Sequence, residues 1–466
     1  MMETEVRDQM MHRLIKVLGR TRVLSSRPDL VPYTKDTYRI RYDEDYKYFP
    51  DAVVFPETTA DVKGIVEIAA DLKVPTIPKG GGSNRTGMLV PLTGGIVVDT
   101  IRMNRIVEVS VPNLYVTVQP GITLKELEDE LAKHGLALNQ EQGSFKVATI
   151  GGSISTSGFS RKHQKYGTIA DRVMSLEVVL ANGKVMRTGP KILYTSTGYR
   201  LQQLFVGAEG TLGIITEATL RVEPIPEAKD AILAFYHDFW SANEAALRTM
   251  SSCVTFTGGE AYEVEDATSL GAPQGRNGLF YLGFEGTKGE VHAQVEFVKK
   301  IVHETGGVLA KHDDAAKFME KYTSQWCGAR ALTGFEDALT TYVPVEHMRE
   351  FFEKLWGEVM PKHGSAPLPG EKFSLDVGRY RIMAGRFYLP KGEGAWEKYQ
   401  ALLRDIAKLT TRLGGSISSC HGVGIEHKDN LDLEYSEVAL DVMRDLKKAI
   451  DPDNIMNPGK MLPDKK

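Results

Sequence analysis

The run Pro78-Lys-Gly-Gly-Gly-Ser-Asn-Arg-Thr-Gly87 follows directly on a strand-like stretch, Val74-Pro-Thr-Ile77. Successive glycines let backbone N–H groups converge on one anion. The run is not a Walker loop, since no Gly-Lys-Ser/Thr closes it, and it is not a GxGxxG fingerprint. By itself it is a glycine-rich turn. Three further clusters give it meaning: Gly143, Gly151, Gly152 and Gly158; Gly207, Gly210 and Gly213; and Gly414, Gly415, Gly422 and Gly424. Glycine makes up 45 of 466 residues, above the usual share of about 7%. Dense glycine in several separate loops predicts backbone drawn close to one ligand.

Around these loops the pattern is short strand, helix, short strand. Asp51-Ala-Val-Val-Phe55 reads as a strand. Residues 59–72 place Val62, Ile65, Val66 and Ala69 on one helical stripe, with Thr58 or Thr59 as cap. Tyr115-Val-Thr-Val-Gln119 alternates as a strand, and residues 124–134 read as a helix stopped by Gly135. This α/β texture, with further strands at 173–180 and 218–222, runs from about residue 48 to residue 226. Beyond Pro224-Ile-Pro226 it changes. Strands at 231–236, 278–285, 340–344 and 386–390 alternate with helices at 241–250, 291–305 and 345–359. That order predicts an antiparallel sheet with helices on one face. The expected fold class is α+β: an N-terminal helical segment (1–47), an α/β domain (48–226), and a domain built on the antiparallel sheet (227–414). A C-terminal loop and helix (415–466) then packs back on the α/β domain.

Lysine plus arginine, 57, against aspartate plus glutamate, 61, leaves a net charge of −4. Such a balance gives no general attraction to nucleic acid or anionic lipid. No nucleic-acid partner is expected, while peripheral membrane contact through a local patch stays compatible. No run reaches the roughly 18 apolar residues of a membrane span, and residues 1–22 are charged with no signal-peptide core, so a cytoplasmic location is expected. Cys253, Cys327 and Cys420 are scattered and form no CxxC pair. No disulfide framework or thiolate metal site is expected, and Cys253 and Cys327 are expected as buried thiols.

Several segments occur in one order: Pro50-Asp-Ala-Val-Val-Phe-Pro-Glu-Thr-Thr59, the Gly80 loop, Thr149-Ile-Gly-Gly152, Tyr166-Gly-Thr-Ile-Ala-Asp171, Glu209-Gly-Thr-Leu-Gly-Ile-Ile215, and Asp451-Pro to Gly459-Lys460. On these the chain resembles the flavoproteins of the vanillyl-alcohol oxidase and p-cresol methylhydroxylase (PCMH) superfamily, in the glycolate oxidase subunit and D-lactate dehydrogenase branch. The resemblance implies FAD bound in a PCMH-type domain of two subdomains, with an antiparallel-sheet cap of the FAD-linked oxidase C-terminal type. It implies that Pro78, Lys79, Gly80, Gly81, Gly82, Ser83 and Asn84 cradle the pyrophosphate. Gly143, Ser144, Thr149, Gly151, Gly152, Thr156, Ser157, Gly158 and Phe159 would follow the ribityl chain and flavin ring. Glu209, Gly210, Thr211, Leu212, Gly213, Ile214 and Ile215 would hold the adenine end. Many relatives attach FAD through a histidine or cysteine of the first loop. This loop offers Asn84 and Arg85, so non-covalent FAD is expected.

Gly415-Ser-Ile-Ser-Ser-Cys-His-Gly-Val-Gly424 resembles the active-site loop of that family and makes His421 the candidate base, since a neutral imidazole can take a proton from a substrate hydroxyl. Hydroxyacid dehydrogenases of the family commonly carry Gly-Glu-His-Gly-Ile-Gly here, and a His-x-Gly-Asp-Gly-Asn-x-His strand that helps bind a divalent metal. In this chain Cys420 takes the glutamate position, and Gly378-Arg-Tyr-Arg-Ile-Met-Ala-Gly-Arg-Phe-Tyr-Leu389 has no histidine. One His and one Cys do not make a divalent site. No catalytic metal is expected, and a small anionic substrate would be held by arginine. Arg379 is the candidate catalytic-site cation, with Arg381 and Arg386 as substrate-binding candidates. Strand alternation puts Arg379 and Arg381 on one face and Arg386 on the other. Tyr380 and Tyr388 are expected in the core.

The activity implied is FAD-dependent oxidation of a small 2-hydroxy acid such as lactate or glycolate, or a similar anionic alcohol, by hydride transfer to flavin N5. An external acceptor (a quinone, an electron-transfer flavoprotein or an iron–sulfur protein) is expected, as is a homo-oligomer or complex subunit. Thr195-Ser-Thr-Gly198 and His421-Gly-Val-Gly424 also resemble the alkyl-dihydroxyacetone-phosphate synthases of the same superfamily. A flavoenzyme transferase of ether-lipid synthesis is the alternative.

Overall fold

The computed structural model describes residues 3–36, 48–325, 336–368, 373–378, 382–389 and 392–464. Helix Thr59–Leu72 shows how local sequence builds the first layer. The Thr58 side chain accepts from the Asp61 N–H, Asp61 reaches back to the Thr58 amide, and Lys73 in the left-handed region ends the helix. Its stripe of Val62, Ile65, Val66 and Ala69 is buried, each large side chain contributing roughly 1.5–3 kcal/mol. The helix connects Ala52–Val54 to Thr76–Lys79. These strands pair in parallel on either side of Ile96–Asp99.

The N-terminal segment is integral to this layer. Helix Thr4–Leu18 buries Met10, Leu14 and Leu18 in the same core, and Val23–Leu24 adds an antiparallel strand beside Ala52–Val54. At the other end of the chain, Thr76 donates to Ile455 O at 2.7 Å and accepts from Asn457 N–H at 2.8 Å. Asp451 holds that tail in place by accepting from the amides of Ile455 and Met456.

A second layer is a five-stranded antiparallel sheet in the order Ile106–Ser110, Tyr115–Val118, Ile214–Arg221, Val173–Val179, Val185–Arg187. The third is a seven-stranded antiparallel sheet: Val308–Leu309, Ala228–Tyr236, Gly278–Gly286, Gly258–Glu263, Ser374–Val377, Ile382–Tyr388, Glu336–Tyr342. Ile232, Ala234, Phe280 and Leu282 face a core shared with helices Phe239–Met250, Lys288–Glu304 and Ala395–Arg412. Their neighbours Leu233, Phe235, Leu279 and Tyr281 face the other way and pack on Ala315 and Phe318 of helix His312–Gln325. Helices therefore lie on both faces of this sheet, not on one. The cause is that its central strands are apolar at successive positions.

Two smaller expectations are also corrected. Cys253 is exposed, because it falls in the turn after helix Phe239–Met250, and Tyr388 is exposed at the end of its strand. Residues 150–155 form a short helix capped by Thr149, whose Oγ1 accepts from Gly152 N–H. Cys327 and Tyr380 lie outside the described residues. Among the described residues, no helix is long and apolar enough to cross a membrane.

Candidate active site

Four loops remote in sequence meet at one place. Gly80 lies flush against the cap of helix Ile150–Ser155: a Cβ there would stand 2.2 Å from Thr149 Oγ1. Gly210 packs on Pro78, where a Cβ would come 2.9 Å from the ring. Glu209 N–H donates to Ser155 O at 2.8 Å. The His421 turn closes the group. Asn84 Nδ2 donates to His421 O at 3.0 Å, and the amides of Val423 and Gly424 donate to the Glu209 carboxylate at 2.6 and 2.9 Å. Gly424 has φ +54°, and a Cβ on it would lie 2.1 Å from Thr86 O. Only glycine fits that approach.

The His421 ring enters a small cavity between the first loop, strand Glu336–Tyr342 and helix Ala395–Arg412. Burial first, then the Arg85 charge and His427, hold its pKa well below the usual histidine value, so the imidazole is neutral at neutral pH. Its Nδ1 lies 3.0 Å from Thr340 Oγ1. Arg85 pairs with Asp337, which also accepts from the Tyr399 hydroxyl, and Tyr399 reaches Glu426 at 3.0 Å. Burial raises the Glu426 carboxyl and, with Arg85, lowers His427 to about 4. The Cys420 thiol is pushed up to about 11 by burial, so it is protonated at neutral pH.

Residues 50–189 match the FAD binding domain family, and residues 385–461 match the C-terminal domain of FAD linked oxidases. Over these two segments the chain is similar to the FAD-linked oxidases. Among similar members of known name, the glycolate oxidase subunit GlcD of Bacillus subtilis (strain 168) is 29% identical over 439 residues, covering 89% of this chain and 90% of that protein. The mitochondrial D-lactate dehydrogenase [cytochrome] of Arabidopsis thaliana is 29% identical over 424 residues, covering 89% and 74%. A solved structure of alkyldihydroxyacetonephosphate synthase superposes with a TM-score of 0.79 at 23% identity, covering 97% of this chain and 85% of that one. The PCMH-type flavin fold with its oxidase-type C-terminal domain is thereby established, as is an oxidoreductase with FAD as cofactor.

With FAD as cofactor, the first loop fits a pyrophosphate. The half-buried amides of Gly80, Gly81, Gly82 and Ser83 have no acceptor among the described residues, which suits bridging anionic oxygens. Lys79 points elsewhere, its Nζ 2.8 Å from Asp99 and 3.1 Å from Gly80 O, and so braces the loop. Asn84 is fully committed: Oδ1 accepts from Thr86 N–H and hydroxyl while Nδ2 holds His421 O. Gly143 and Ser144 open the turn before Thr149, with Ser144 O accepting from Val147 N–H. Thr156 closes the short helix by bonding Gly152 O, Ser157 sits at φ +50°, and Gly158 O accepts from Gln140. The Phe159 ring lies 4.7 Å from that of His163. Thr211 bonds Ala208 O, while Leu212, Ile214 and Ile215 are core side chains. Any part those three take in the cofactor site falls to their backbone. Arg379 and Arg381 lie outside the described residues. Arg386 is half-buried on strand Ile382–Tyr388.

Arg85, Asp337, Thr340, Tyr399, Glu426 and His427 were not singled out as site residues by the sequence. One signal was present, since Glu426-His427 follows the Gly-Val-Gly turn one residue on, after Ile425. Thr340 and Asp337 carry no such mark. They belong to an edge strand brought to His421 by long-range pairing, such as that of Tyr342 with Ser416.

Proposed function

We propose that this protein dehydrogenates a small 2-hydroxy acid such as lactate or glycolate, or a similar anionic alcohol, with His421 as the base. The observation that carries the reading is a half-buried histidine in the cavity, whose backbone turn is held by the flavin-domain loops themselves. FAD, when bound, supplies the hydride acceptor at N5. His421 Nε2 takes the hydroxyl proton, a role that requires Nδ1–H to donate to Thr340 Oγ1, 3.0 Å away. The candidates for the substrate carboxylate are Arg386 or, from the opposite strand face, Arg379 and Arg381, since one anion cannot be held from both faces. The glycolate and D-lactate activities named for the relatives support the substrate class. Electrons then pass to an external acceptor such as a quinone, an electron-transfer flavoprotein or an iron–sulfur protein. Anaerobic mixing with D- and L-2-hydroxy acids should bleach the flavin, and a flavin left oxidised by the whole panel speaks against the substrate class.

A second reading, a transferase like alkyldihydroxyacetonephosphate synthase, is favoured by one feature: a protonated thiol at Cys420 beside His421 where a metal-binding carboxylate would serve a dehydrogenase. It predicts ether-lipid product from acyl-dihydroxyacetone-phosphate and a fatty alcohol with no external acceptor. Product absent under those conditions removes it.

A further inference from the structure

We infer that Glu209 is a positioning residue for His421, acting through the backbone of the 421–424 turn, and not a ligand of the cofactor's adenine end. The inference rests on His421 being the base. Both carboxylate oxygens are committed: Oε1 accepts from Val423 N–H at 2.6 Å and Gly424 N–H at 3.2 Å, and Oε2 from Gly424 N–H at 2.9 Å. Residue 209 itself is strained, with φ +52°, a region that non-glycine residues rarely adopt. It is fixed there by Ser155 O on its amide and by Asn457 Nδ2, 2.8 Å from its carbonyl. The turn is shaped to receive it. Gly422 has φ +83°, and a Cβ on it would lie 2.6 Å from Glu209 Oε1.

The consequence is geometric. His421 is gripped at its own carbonyl by Asn84 and just beyond by Glu209, and both residues belong to loops of the flavin domain. The imidazole is thus placed relative to the flavin's own cradle, and the cap touches its ring through Thr340. Burial pushes the Glu209 carboxyl up to about 7, against the pull of the two amides and of Lys460, with Asp36 the other charge facing it. A buried carboxylate with its lone pairs spent on a turn has little left for a ligand.

The test compares Glu209→Gln, Gly422→Ala, His421→Ala and the double variant Glu209→Gln/His421→Ala. Each is loaded with FAD and mixed anaerobically with D-lactate, or with glycolate if D-lactate leaves the wild type oxidised. Expected for Glu209→Gln and Gly422→Ala are unchanged flavin content, spectrum and photoreduction, with flavin reduction by substrate slowed about 10- to 100-fold per bound flavin, the scale of a small misplacement. The double variant should be no slower than His421→Ala, since Glu209 acts only through it. Loss of FAD from Glu209→Gln with a wild-type rate per remaining flavin overturns the inference, as does a double variant slower by the product of the single effects. If Glu209→Gln fails to fold, Gly422→Ala decides: it crowds the same carboxylate from the other side, and a wild-type rate there overturns the inference. A wild-type rate in His421→Ala overturns the base assignment and this inference with it. A slow His421→Ala beside fast Glu209→Gln and Gly422→Ala overturns the inference alone.

Discussion

Thr340 Oγ1 and His421 Nδ1 stand 3.0 Å apart, joining the edge strand of the cap to the turn held by the flavin domain. For Nε2 to act as a base, Nδ1 must carry the ring proton and Thr340 must accept it. The same hydroxyl then stabilises the imidazolium once Nε2 is protonated. Thr340→Val should slow flavin reduction by about 2- to 10-fold, the worth of one ordinary hydrogen bond, and Thr340→Ser should restore it. Stopped-flow reduction rates of the two variants decide. Equal loss in both would mean the hydroxyl has no such part.

The buried imidazole of His427, whose pKa burial lowers to about 4, makes a pH prediction of definite sign. Between that value and the ordinary 6.5 the unfolded chain binds a proton that the folded chain does not. Stability therefore rises with rising pH across this window and is lost as pH falls, by up to about 1.4 kcal/mol per pH unit. Glu209 and Glu426 work in the opposite sense, so the comparison must be with His427→Gln, in which they are retained. The wild type should lose ground to that variant between pH 7 and pH 4.5 in paired melting curves. A gap that stays constant would contradict the buried, neutral ring.

Much of the fold was legible because its signals are local. Thr58 and Asp61 sit three residues apart and cap their helix from that spacing alone, and Val62, Ile65, Val66 and Ala69 show their buried stripe directly. The glycine clusters foretold that four loops would meet. Which side chains tie them together was not legible. Glu209 was read as belonging to the cofactor because its own segment resembles a cofactor motif, while its carboxylate reaches amides of a distant turn. Arg85 and Asp337 likewise pair only after the cap has folded over the first loop. Contacts of that range depend on packing and leave no periodic trace.

The first loop holds no histidine or cysteine to form a covalent link, and the Asn84 amide is engaged with Thr86 and His421 O. Flavin should therefore be released quantitatively into the supernatant on acid precipitation. Colour that stays with the pellet would point to a covalent link through another residue.

Substrate charge should be met by arginine and not by a divalent ion, since residue 420 is a cysteine and residues 378–389 hold no histidine. Chelator treatment should leave turnover intact, while Arg386→Ala should raise KM for a 2-hydroxy acid by about 10- to 100-fold, as for a lost charge-assisted hydrogen bond. Activity abolished by chelation and restored by zinc or manganese would reverse that assignment.

The most direct measurement is the anaerobic reduction of bound flavin by a 2-hydroxy acid in wild type and His421→Ala, followed at the flavin absorbance band. The wild type should bleach, and the variant, still holding its FAD, should bleach about 10²- to 10⁴-fold more slowly, the usual range for a lost general base. A variant that keeps its FAD and reduces it at the wild-type rate would contradict His421 as the base.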